Sequence, residues 1–101
     1  MKKSRVEIAK EPIAEFCRRH GIQRLSLFGS VLTEDFNPES DVDVLIEFKP
    51  GIRVGMIRLA GLEGELSDMI GRKVDLNTPG FISKYFRKRV LSEREIHYAE
   101  A

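Results

Sequence analysis

The stretch Asp41-Val42-Asp43-Val44-Leu45-Ile46-Glu47-Phe48 constrains this chain more than any other. Its β-branched and aromatic residues favour a strand, and its later half is apolar enough to be buried. Lys49-Pro50-Gly51 ends it. Two aspartates stand at its head, two residues apart. Strand alternation sends both carboxylates to one face, with roots about 7 Å apart, while Val42 and Val44 turn inward. Two like charges on one face are unfavourable unless a cation neutralises them. Hard oxygen ligands select Mg²⁺ or Mn²⁺.

The rest of the chain supplies partners for this strand. Ile8, Ile13, Phe16 and Cys17 recur at helical spacing, with Gly21 as a stop and Pro12 as the expected start of the main helix. Residues 24–28 alternate as a strand that ends at Gly29-Ser30, and residues 31–34 are read as a short helix. A second helix is expected over 54–70, with Ile57, Leu59, Leu62, Leu66, Met69 and Ile70 inward; Gly61 and Gly64 suggest close packing. A third strand follows over 73–77, a last helix from Thr78 to about Leu91, and a short edge strand near 95–98. Strands and helices alternate, so the class is α/β (α+β): a small mixed sheet of three to four strands flanked by helices. At 101 residues the chain is one domain, 1–101, with no length for a second.

Composition excludes several classes. The net charge of +1 gives no global basic field, so direct DNA binding is not expected. No apolar run approaches a membrane span, and the start, Met-Lys-Lys-Ser-Arg-Val-Glu, lacks the apolar core of a secretory signal; a cytoplasmic location is the default. The single Cys17 reads as packing, and His20 as a helix-end charge. Charge is nonetheless segregated. Residues 32–48 carry acids only, whereas Arg72, Lys73, Lys84, Arg87, Lys88, Arg89 and Arg94 make the later part basic.

Two further features complete a constellation. Asp75 lies in the third strand in the same apolar-acid-apolar setting, and three acids on adjacent strands suit a site where two metal ions clamp a phosphoryl transfer. Gly29-Ser30 ends a strand, where glycine lets backbone approach a phosphate and the hydroxyl offers a donor. Gly29-Ser30, ten residues, Asp41-Val42-Asp43 and a later Asp75 together resemble the signature of polymerase-β-like nucleotidyltransferases. The segments 28–30, 37–48, 71–76 and 78–80 look specifically like the minimal nucleotidyltransferases (MNT). The resemblance implies that Gly29 and Ser30 hold the triphosphate of ATP. It implies that Asp41, Asp43 and Asp75 ligate Mg²⁺, two ions in all, with Asp75 helping to deprotonate the acceptor. Many such proteins carry an arginine directly after Gly-Ser; Val31 stands there in this chain, and Arg72 or Lys73 are candidates to replace the charge, although solvation of a helix or strand end is the role expected of each.

Minimal nucleotidyltransferases commonly act as antitoxins beside HEPN-domain ribonuclease toxins, moving AMP from ATP onto a toxin tyrosine. The resemblance therefore implies a protein adenylyltransferase with a HEPN-toxin partner. A second reading is a catalytically weak or inactive module of the same fold that neutralises its partner by binding. A third, a small structural metal site, accounts for the acids but not for Gly29-Ser30. In the last helix Ile82, Tyr85, Phe86 and Arg89 are expected to cover the sheet. Lys84 and Lys88, with no acidic neighbour in the helix, are left outward to steer an acidic partner or its RNA.

Overall fold

The computed structural model describes residues 6–100. Met1 to Arg5, part of the start read against a secretory signal, lie outside the described residues, as does Ala101. The elements run α1 (Lys10–His20), β1 (Ile22–Phe28), a 3-10 turn (Gly29–Leu32), β2 (Val42–Phe48), α2 (Met56–Ile70), β3 (Val74–Asn77), a second 3-10 turn (Pro79–Phe81), α3 (Lys84–Glu93) and β4 (Glu95–Ala99). This is the expected α/β class with a four-stranded mixed sheet, ordered β3-β2-β1-β4. β1 pairs antiparallel with β2 and with β4, whereas β2 and β3 are parallel. A parallel pair cannot be joined by a tight turn, and α2 supplies the crossover.

The core lies between one face of the sheet and two helices. Ile13, Phe16 and Cys17 of α1 and Leu62 and Leu66 of α2 pack against Leu25, Leu27, Val42, Val44, Ile46 and Val74. Burial pushes the Cys17 thiol up to about 12, which fits packing rather than chemistry. Alternation sends Ser26 and Phe28 of β1 and Asp43, Leu45 and Glu47 of β2 to the opposite face. Among the described residues, no helix is long and apolar enough to cross a membrane.

Several boundaries differ from the sequence reading. α1 begins two residues before Pro12, because first-turn N–H groups have no intrahelical partner and proline loses nothing there. Ile8 precedes the helix and packs on the core edge. Only Gly29–Leu32 is helical after β1, as a 3-10 turn. Ile57 is 92% exposed, since α2 meets the core only from Leu59 onward. Gly61 and Gly64 face open space, so close packing does not explain them.

The last helix departs furthest. The chain makes the 3-10 turn at Pro79, passes through extended Ile82, and restarts at the cap Ser83, whose Oγ accepts from the Tyr85 amide. The half-buried side of α3 is Arg87, Val90 and Leu91, continued by the C-cap Arg94, not Tyr85, Phe86 and Arg89. Arg87 donates to the carbonyls of Pro79 (2.8 Å) and Ile82 (3.1 Å), and Arg94 pairs with Glu47 of β2, which also pairs with Arg24. These two arginines turn inward to satisfy acceptors, and the aromatic side is rotated to solvent. Arg89 pairs with Glu93, one turn further along the helix, at 3.3 Å.

Ser26 is fully buried, and its hydroxyl has no hydrogen-bond partner among the described residues. An unsatisfied buried hydroxyl costs about 1–3 kcal/mol. Ser26→Ala is therefore expected to stabilise the fold by about 1 kcal/mol, read as a higher denaturant midpoint at unchanged slope.

Candidate active site

The parallel register sets Asp43 of β2 directly opposite Asp75 of β3. Alternation leaves both on the face away from α1 and α2. The Asp75 carboxyl is close enough to act on Asp43 both by charge and by hydrogen bonding. Burial, then the charge and hydrogen bond of Asp75, then the charge of Asp41 push the Asp43 carboxyl up to about 6. β3 is an edge strand, and α2 holds it in place. Ser67 Oγ accepts from the Val74 amide at 3.0 Å, and Glu63 Oε2 accepts from the Leu76 amide at 2.8 Å. Two edge amides are thereby satisfied on either side of Asp75. Glu63 and Ser67 escaped the sequence reading, although their four-residue spacing on one side of the crossover helix is a usable signal.

Asp41 precedes β2 rather than lying in it. Its Oδ2 is 3.9 Å from Lys73 Nζ, and it acts on Asp43 through charge. Among the described residues the three acids do not close into a single metal-holding cluster: Asp43 and Asp75 are in contact and Asp41 stands beside them. The loop that brings Asp41 in is self-bonded, with Asn37 N–H donating to Ser40 Oγ and Glu39 N–H to Asn37 Oδ1. Arg72 fastens it. Its guanidinium donates to the carbonyls of Asn37 (2.8 Å) and Ser40 (2.9 Å) and lies 4.4 Å from the Phe36 ring centroid. Arg72 is therefore committed to the loop and does not replace the arginine missing at Val31. Lys73 remains at the border of the acids.

On the other side, Phe28 pairs with Asp43 in register, so Gly29 is delivered beside the Asp43 carboxylate. Gly29 has φ 76°, and a Cβ there would run into that carboxylate. Both the backbone conformation and the space demand glycine. Ser30 follows in the 3-10 turn, anchored by buried Val31 and Leu32, and its carbonyl accepts from the amide and hydroxyl of Thr33. A cleft of about 380 Å³ opens between Phe28, Gly29 and Thr33 on one wall and Phe86, Arg89, Val90 and Glu93 of α3 on the other. Sequence reasoning missed this wall because it placed Phe86 and Arg89 against the sheet.

Two touching carboxylates, one of them held half-neutral near pH 6, form an oxygen-donor pair that a hard divalent cation relieves. In the absence of cation the raised Asp43 value has a definite sign. The stability it contributes is full below the ordinary 3.8 and is lost as pH rises through about 6. Asp43→Asn is expected to melt higher than the wild type above pH 6, with the gap closing as pH falls toward 3.8. Thermal melts in chelator across that range check it, and a constant gap would contradict it.

A domain model for "Nucleotidyltransferase domain" matches residues 10–97. The chain is 33% identical over 84 residues to a candidate protein adenylyltransferase of Methanocaldococcus jannaschii, covering 83% of this chain and 88% of that one. It is 29% identical over 79 residues to the protein adenylyltransferase MntA of Thermococcus cleftensis, covering 78% of each. A solved candidate minimal nucleotidyltransferase superposes with TM-score 0.69 at 30% identity, over 84% of this chain and 85% of that one. A toxin–antitoxin structure with AMP-PNP shares the fold with TM-score 0.74 at 19% identity, over 92% and 75%. The domain match over residues 10–97 and the 33% identity over most of both chains show that the chain belongs to the nucleotidyltransferase domain family, as one of its minimal members.

Proposed function

We propose that this nucleotidyltransferase moves AMP from ATP onto a hydroxyl, a tyrosine of a HEPN-domain ribonuclease toxin, and thereby acts as that toxin's antitoxin in the cytoplasm. The observation that carries the reading is the Asp43–Asp75 pair set against the Gly29 turn. The relatives point the same way: MntA is a protein adenylyltransferase, and one fold neighbour is an MNT antitoxin in complex with a tri-AMPylated HEPN toxin of Shewanella oneidensis, with TM-score 0.66 at 19% identity over 90% of this chain and 70% of that one.

Asp43 and Asp75, with Asp41 beside them, would hold Mg²⁺, which supplies Lewis-acid stabilisation of the phosphate charge when bound. The chain's own groups do the rest. The Gly29 backbone and the Ser30 hydroxyl orient the triphosphate. Asp75, in the outermost strand of the carboxylate face, takes the proton from the acceptor hydroxyl. The acceptor oxygen bonds to the α-phosphorus, the α–β anhydride bond breaks, and pyrophosphate leaves. A rival reading, neutralisation by binding alone, draws on the absence of an arginine after Gly29-Ser30 and the commitment of Arg72 elsewhere.

The two readings separate in one assay: wild type with labelled ATP, Mg²⁺ and a HEPN-domain ribonuclease. Label should enter the ribonuclease, and Asp75→Asn should lower the rate roughly 100-fold or more while the melting transition persists. Inhibition of the ribonuclease without label transfer would leave only the binding module. Ser30→Ala should cost about 1.5–3 kcal/mol in ATP use, measured as kcat/KM for ATP. Unchanged kinetics would reduce Ser30 to a turn residue.

A further inference from the structure

We propose that the solvent side of α3 is the surface on which the acceptor protein docks, through Tyr85 and the flanking cations Lys84 and Lys88. The proposal rests on the function above and adds the place and chemistry of contact. Tyr85 is 82% exposed, Phe86 61% and Phe81 59%. Three aromatic side chains clustered in water on and beside one ten-residue helix are unusual for a surface with nothing to bind. Tyr85 and Phe86 are outward because Arg87 takes the inner side of α3 with its hydrogen bonds to Pro79 and Ile82, and the C-cap Arg94 fixes the helix end through its ion pair to Glu47. The lysine beside Tyr85 sits on it, Lys84 Nζ lying 5.5 Å from the ring centroid.

Position decides between this surface and the exposed apolar side chains at the start of α2. Met56 and Ile57 are also exposed, but α2 belongs to the helix layer, across the sheet from Asp43 and Asp75. α3 lies on the carboxylate face, tied to it through Glu47, and walls the cleft that begins at Gly29. A protein seated on α3 can bring a hydroxyl to the acids; one seated on the start of α2 cannot.

Charge decides the occupant. Outward on α3 are Lys84, Lys88 and Arg89, and the one carboxylate, Glu93, is paired with Arg89. The acids at the catalytic end carry the opposite sign. A partner with carboxylates around an apolar contact is attracted to α3 and repelled from Asp41, Asp43 and Asp75, so its neutral hydroxyl is what enters the site. A polyanionic RNA would meet the same repulsion along its whole length, which favours a protein.

The test measures affinity for the HEPN-domain ribonuclease of the same organism by calorimetry, with Mg²⁺-ATP binding measured alongside. Tyr85→Ser should weaken the partner at least roughly tenfold, as expected for an exposed aromatic anchor, and leave nucleotide binding unchanged. Lys84→Glu with Lys88→Glu should lower the association rate at low salt and flatten its salt dependence. Tyr85 is so exposed that its loss does not threaten folding, and the melting transition checks this. Partner affinity within twofold of wild type in the combined variant would overturn the proposal, as would a change confined to self-association of this chain or to binding of a single-stranded RNA probe. Wild-type binding that depends on Tyr85 without AMP transfer would sink the adenylylation reading and leave the surface standing. No wild-type binding at all would remove both.

Discussion

The parallel pairing of β2 with β3 is the constraint from which the remainder follows. It alone places Asp43 beside Asp75, and a parallel pair requires a long crossover. That crossover is α2, which covers the inner sheet face with Leu62 and Leu66 and satisfies the outer edge of β3 through Ser67 and Glu63. One helix therefore completes the core and fixes the position of an acid on the other side of the sheet.

The site is costly to build. Asp43 is desolvated and surrounded by like charge, and the fold tolerates this because β2 is anchored by Val42, Val44 and Ile46 on the reverse face. The glycine turn has no freedom to vary either, since Gly29 meets the Asp43 carboxylate and carries a left-handed backbone. Arg72 then joins the loop of Asp41 to the start of β3, so the two chain segments that feed the carboxylate face move as one. Local strain and charge are concentrated where a bound cation and phosphate would offset them.

The acids were legible in the sequence because strand alternation is a short-range rule: once β2 is recognised, the faces of Asp43 and Val44 follow. Sheet composition and the core of α1 were legible for the same reason. Where the reading failed, longer-range satisfaction had overridden local pattern. Apolar periodicity assigns Tyr85 and Phe86 to the interior, yet the carbonyls of Pro79 and Ile82 and the carboxylate of Glu47 draw arginines there instead. For Arg72 the sequence offers solvation of a helix or strand end, or a phosphate contact, because charge and proximity in sequence say nothing about which carbonyls a folded loop presents. Ile57 fits a helical stripe, but the stripe extends past the end of the surface it covers.

The way α3 is seated has a consequence for how the molecule breathes. Its half-buried positions are Arg87, Val90 and Leu91, and it contributes no fully buried side chain, whereas β1 and β2 contribute most of theirs. Free energy of local opening follows buried apolar contact, so the amides of α3 belong to the part of the chain that exchanges with solvent long before the central strands do. The α3 wall of the cleft is thus held by fewer buried apolar contacts than the strands that carry Asp43. The acid pair thus stands on strands whose amides are expected to outlast those of the helix across the cleft.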